Sequence, residues 1–150
     1  MAASMIGALA RFARLPLPDQ TATIEAFAQL LVARARLSVL PQAKVSEWVS
    51  PMMRPASRDA PMKPTGVDAT VERIRLAVQR ASRRVPGATC LVQAIATQHM
   101  LHSRGVQSRI RIGVEKSDGK LGAHAWLTVD DKIVLGGADA SARFVELRRT

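Results

Sequence analysis

Apolar positions recur along this chain first with helical spacing and then, past Gly105, with a period of two. The spacing predicts a helix from about Thr21 to Val39, with Ile24, Phe27, Ala28, Leu31 and Ala35 on its inward stripe. Asp19 stands ahead of it where an N-cap belongs, and Pro41 ends it. A weaker amphipathic stretch covers Ser4 to Leu15. Another helix is expected from Val67 to Arg84, with Val67, Val71, Ile74, Val78 and Ala81 inward and Arg73, Arg80, Arg83 and Arg84 outward. Thr65 and Asp68 have capping-box spacing at its start, and Pro86-Gly87 breaks it. The next helix runs from Cys90 to about Arg104, with Thr89 as N-cap and Gly105 past its end. Leu91, Val92, Ala94, Ile95 and Ala96 leave its first turns uncharged, which predicts a central, buried helix.

Beyond Gly105, Val106, Ser108, Ile110, Ile112 and Val114 alternate with Gln107, Arg109 and Arg111, as in a half-buried strand. Ser117-Asp118-Gly119 marks a turn, 121–129 a second strand, Asp130-Asp131 a tight turn and 132–136 a third strand; Arg143 to Leu147 can add a fourth. On the second strand His124, Trp126 and Thr128 share one face, and Ala123, Ala125, Leu127 and Val129 the other. Helices followed by an antiparallel meander are an α+β pattern. The length fits a single domain over 1–150: a helical N-terminal part at 1–49, a loop at 50–66 punctuated by Pro51, Pro55, Pro61 and Pro64, and a core at 67–150.

Composition narrows the picture. With 47% apolar residues but only three Phe, two Trp and no Tyr, the core rests on aliphatic side chains. A single cysteine excludes an internal disulfide and a cysteine-based zinc site. Charges interrupt every long apolar run and no signal-peptide pattern precedes them, so a cytoplasmic protein without a membrane span is expected. A net charge of +10 fits either an acidic partner or a solvated arginine-rich surface. The scarcity of aromatics removes the stacking platform of single-stranded nucleic-acid binders, and no nucleic-acid partner is expected. Gly136-Gly137 is too short for a phosphate loop, and no cofactor is expected. His99 and His102 have a spacing that can hold a metal ion, but no acidic or cysteine ligand lies near them in sequence, so no metal is expected.

Cys90 and His124 carry the candidate chemistry. A thiol in the first turn of a helix faces unpaired amides and the positive end of the helix dipole, which favours the nucleophilic thiolate. The plain alternative is a small buried hydrophobe. An imidazole on a strand, beside a large aromatic, can take the thiol proton and return it to a leaving amine. A third, orienting group is wanted. If Asp130-Asp131 is a two-residue turn, Val129 pairs with Lys132, residue 124 faces Gly137, and Asp139 is the diagonal neighbour of His124, sharing its face with Ile133, Leu135 and Gly137. Cys90, His124 and Asp139 are therefore the candidate catalytic residues; Thr89 and Trp126 are candidate substrate-binding residues.

The segment from about Val85 to Leu147 resembles the transglutaminase-like leader peptidases of lasso-peptide biosynthesis. The resemblance rests on Cys90-Leu91-Val92-Gln93-Ala94, His102-Ser103-Arg104-Gly105-Val106, Arg109-Ile110-Arg111-Ile112-Gly113-Val114 and Ala123-His124-Ala125-Trp126-Leu127. It implies a transglutaminase/papain-like core, in which a Cys-bearing central helix packs on a small antiparallel sheet. It also implies a Cys-His-Asp cysteine protease that removes the leader of a ribosomally made precursor through a thioester. Cys90 and His124 match the nucleophile and base. Where several relatives carry the aspartate this chain has Gly136, and Asp139 is the nearest acid beyond it. The implied partners are the precursor peptide, a separate leader-recognition protein and an ATP-dependent macrocyclase. Two other readings stay open: a transglutaminase-like acyltransferase using the same thioester, and a non-catalytic basic scaffold.

Overall fold

The structure is a computed structural model and describes residues 7, 10–53, 66–117 and 120–147. The first long helix, α1, spans Leu17–Val39, four residues earlier than the apolar spacing alone predicts. Pro16 occupies its N-cap and Pro18 its first turn, where a missing N–H costs nothing. Asp19 lies inside that turn rather than capping it, and its carboxylate accepts from Arg73 Nε at 3.0 Å.

The buried stripe of α1 is not the one the spacing favours. Ala22, Ala26, Leu30 and Ala33 face inward, against α3 (Val67–Ser82) and α4 (Cys90–His102), while Ile24 and Leu31 are 61% and 44% exposed and Phe27, Ala28 and Ala35 also face outward. Three alanines let the backbones of two neighbouring helices come close; the bulkier stripe would hold them apart. Leu30→Ala is therefore expected to cost about 2–3 kcal/mol, and Leu31→Ala less than about 1 kcal/mol, in urea unfolding. Equal costs would contradict this orientation.

Pro41 ends α1, but the chain re-enters a helix at once: α2 covers Gln42–Val49, and a 3-10 turn follows at Ser50–Met53. The first residues of the expected 50–66 loop are thus fixed. Gln98 Nε2 donates to Met52 O and Ser108 O, both at 3.0 Å, and Arg109 Nε donates to Met53 O at 2.7 Å. Residues 54–65, including Thr65 of the expected capping box, lie outside the described residues. Gly66, at φ +81°, takes the N-cap of α3, and Val67, Ile74, Ala77, Val78 and Ala81 are buried along it.

Four strands form one antiparallel sheet in the order β3-β2-β1-β4: β1 Arg109–Ser117, β2 Lys120–Val129, β3 Lys132–Leu135 and β4 Val145–Glu146. The β2–β3 turn is the expected Asp130-Asp131 pair, both left-handed (φ 48° and 60°), as a two-residue hairpin requires. β4 pairs with β1 at the far edge from β3, so the chain crosses one sheet face between them, through the single helical turn α5 (Ala140–Arg143) and Phe144. The architecture is α+β, as the order of elements predicts.

Alternation gives the sheet two different faces. Ile110, Leu127, Val129 and Leu135 enter the aliphatic core together with α4 residues such as Ile95 and Met100. His124, Trp126 and Thr128 point to the other face, under Phe144 and beside the arginines of β1.

Candidate active site

Cys90 is placed by a tightly bonded turn. Ala88 N donates to Val85 O at 3.1 Å and Thr89 N to Gly87 O at 2.9 Å, while Gln93 Nε2 reaches back to Ala88 O at 2.8 Å. Thr89 caps α4 as expected, its Oγ1 accepting from Val92 N at 3.4 Å. The cap side chain is thus committed to the helix. Cys90 follows as the first helical residue, its thiol free and half-buried. Gly87, at φ +75°, lies so close to Arg34 that a Cβ there would come within 3.0 Å of Arg34 Nε.

His124 is held on the opposite face of the sheet. Its Nε2 lies 2.6 Å from Gly136 O, and its ring stacks on Phe144 (centroids 5.0 Å apart) and more distantly on Trp126 (6.4 Å). A carbonyl only accepts, so Nε2 carries the proton of the neutral ring and Nδ1 presents its lone pair. That is the tautomer a base toward a thiol needs. Among the described residues no hydrogen bond joins the Cys90 thiol to this imidazole.

Asp139 is not the group on His124 in this structure. Its carboxylate is 66% exposed and lies 3.7 Å from Arg143 Nη1. The reason is a bulge. Val129 pairs with Lys132 as expected, but the register shifts between Leu127 and Thr128, so Leu127 pairs with Leu135. Leu135 therefore enters the core with Leu127, instead of sharing the face of His124, and β3 ends there. The carbonyl of Gly136 takes the orienting position.

Trp126 supports this arrangement from beneath. At 1% exposure it offers no surface to a substrate; its ring packs between Gly113, Phe144 and His124. Two glycines make room for it. A Cβ on Gly113 would meet Phe144 Cβ at 2.7 Å and Trp126 Cη2 at 2.9 Å, and a Cβ on Gly136 (φ +105°) would meet Trp126 Cβ at 2.5 Å. Gly136→Ala is expected to lose roughly 1–3 kcal/mol of stability and to displace the imidazole, read as a lower Tm together with shifted His124 ring resonances. Phe144 and the Gly136 carbonyl were not foreseen as parts of the site. A glycine inside β1 is a signal of close approach that the sequence carries.

Next to this cluster, Arg111 fastens the sheet. Its guanidinium reaches Glu146 Oε2 at 3.0 Å, Asp131 Oδ1 at 2.5 Å and Thr128 Oγ1 at 3.4 Å, tying β1 to β4 and to the β2–β3 turn. A cavity of about 230 Å³ lies elsewhere: Pro18, Val67, Arg73, Arg104 and Val106 line it, at the end of α4 remote from Cys90. Its two arginines are already paired, with Asp19 and Glu25.

His99 and His102 close the last turn of α4, and among the described residues no group of three or more His, Cys, Asp or Glu could hold a metal ion. Burial, then the charges of Arg36 and His102, pushes His99 below the ordinary histidine range. The unfolded chain therefore takes up a proton here before the folded one, and stability is lost as pH falls through the ordinary histidine value of 6.5. His99→Gln is expected to flatten that part of the pH–Tm profile; an unchanged slope between about pH 7 and 5 would contradict the assignment.

A comparison with protein families places this geometry. The family model described as the transglutaminase-like superfamily matches residues 22–149. The chain belongs to the transglutaminase-like superfamily. No curated protein and no solved structure matches it. The superfamily includes cysteine peptidases and acyltransferases. In this transglutaminase-like chain the match begins within α1, so the N-terminal helices belong to the family's unit along with the thiol helix and the sheet.

Proposed function

We propose that this transglutaminase-like chain is a cysteine peptidase that removes the leader from a ribosomally made lasso-peptide precursor. Cys90 Sγ, deprotonated by His124 Nδ1, attacks the carbonyl at the leader–core junction. The C–N bond breaks, the amine leaves with the proton held by His124, and a thioester remains on Cys90. Water, deprotonated by the same imidazole, then releases the leader carboxylate and the free thiol. In this mechanism the first-turn amides of α4 receive the oxyanion. A separate recognition protein delivers the leader, and an ATP-dependent macrocyclase closes the ring afterwards.

The observation that carries the reading is the 2.6 Å contact of His124 Nε2 with Gly136 O, which leaves Nδ1 as the acceptor. β3 pairs with β2 only from Leu127 to Val129, so on the β3 side of the sheet no described strand covers His124. The ring leans toward Gly136 at this edge, and the reading requires the Cys90 thiol to reach it when substrate is bound. Catalytic hydrogen bonds commonly tighten only when substrate is bound. A neutral carbonyl orients the ring but stabilises an imidazolium less than a carboxylate does.

The test is mass spectrometry of the precursor incubated with the chain, with and without the recognition protein. Hydrolysis gives leader and core whose masses sum to the precursor plus one water. A product carrying an added amine would replace the peptidase with an acyltransferase, and an intact precursor under both conditions would contradict the proposal.

A further inference from the structure

Several of the described arginines are engaged. Among the described residues, Arg73, Arg75, Arg104, Arg109, Arg111 and Arg143 pair with carboxylates. Arg36 lies over the Trp48 ring at 5.3 Å. Four arginines beside the Cys90 turn are different. Arg80, Arg83 and Arg84 lie three and four apart at the end of α3, hence on one side of it, and Arg34 rests on Gly87 of the turn that follows. None has a carboxylate partner among the described residues; Arg34, Arg83 and Arg84 are exposed and Arg80 half-buried. Their position at a helix C-terminus explains part of this, since Arg84 Nη1 donates to Arg80 O at 3.1 Å. It does not explain Arg34, which comes from another helix, nor the free heads of Arg80 and Arg83.

We propose that Arg34, Arg80, Arg83 and Arg84 form a docking site for an acidic segment of the peptide substrate, holding the adjoining amide over Cys90. The proposal rests on the peptidase reading for the direction of delivery. Gly87, which touches Arg34, is three residues from Cys90, within roughly 11 Å along the chain, the span of three or four extended peptide residues. A short run of Glu or Asp seated on the arginines therefore brings the next bond to the thiol. A polypeptide fits better than a nucleic acid: no aromatic stands between residues 80 and 90, and a thiol reacts with acyl carbon.

The experiment uses fluorescein-labelled deca-glutamate and the full chain carrying Cys90→Ala, so that binding is read without turnover and stands or falls apart from the peptidase activity. Fluorescence anisotropy is expected to show saturable binding that weakens at least tenfold between about 0.05 M and 0.5 M salt. The triple variant Arg34→Gln/Arg80→Gln/Arg83→Gln is expected to lose about tenfold in affinity, as several exposed charge pairs are removed together, and Arg75→Gln to lose nothing. On the unsubstituted chain, deca-glutamate is expected to slow alkylation of Cys90 by iodoacetamide. Equal affinity of the triple and parent proteins, or alkylation indifferent to the peptide, would overturn the proposal. So would tighter binding of a single-stranded deca-thymidylate lost in the same triple variant, which would assign the arginines to nucleic acid. Circular dichroism of the triple variant confirms that its fold is kept, and single substitutions repeat the test if it is not.

Discussion

Replacing Cys90 with alanine is expected to lower precursor processing by at least about a thousandfold while moving Tm by no more than about 2 °C. The two halves of this result have separate causes. The thiol is the only group in the proposed mechanism that forms a covalent bond to substrate, so nothing else in the chain can substitute for it. Structurally it contributes little. Cys90 is half-buried, the cap of its helix belongs to Thr89, and alanine is the better helix former. Cys90→Ser keeps the shape and offers a poorer nucleophile, so it is expected to be nearly as inactive. Processing that survives both substitutions would leave the fold account standing and remove the enzyme.

Trp126→Ala is expected to cost roughly 3–5 kcal/mol, a fall in Tm of about 10 °C or more for a chain of this size, and to abolish processing as well. The ring is 1% exposed and fills the space between Gly113, Gly136 and Phe144, so no small rearrangement closes the hole. Its loss also frees His124 and the Gly136 backbone that orients it. Trp126→Phe separates packing from polarity. The indole N–H has no hydrogen-bond partner among the described residues, so phenylalanine removes an unpaired buried donor while keeping most of the ring. A change within about 1 kcal/mol is expected for it. Differential scanning calorimetry on the two variants checks both values, and equal losses would mean that the indole N–H is what matters.

The sheet and the thiol helix were legible in the sequence because their signals are local. Alternation placed β1 and β2, the Asp130-Asp131 pair fixed the turn, and Thr89 before an uncharged run located the start of α4. The family match over residues 22–149 agrees with that outline. What the sequence hid depends on the third dimension. Ile24, Phe27 and Leu31 have the spacing of a core stripe, yet the inward face of α1 is set by how close its alanines bring it to two other helices. The bulge between Leu127 and Thr128 has no composition of its own, and it moves Leu135 into the core and sets aside the register that favoured Asp139. The resemblance expects an aspartate at the position of Gly136. That its backbone oxygen would take the aspartate's place beside the imidazole requires a left-handed φ and a tryptophan beneath it, which only the packed structure reveals.

The pairing of Cys90 with His124 is tested most directly by the rate at which iodoacetamide alkylates Cys90 at neutral pH, in the parent chain and in His124→Ala. If the imidazole takes the thiol proton, the parent reacts rapidly and the variant at least about tenfold more slowly, at unchanged circular dichroism. Identical rates in the two proteins would mean that thiol and imidazole act independently, and the proposed catalytic pair would fall.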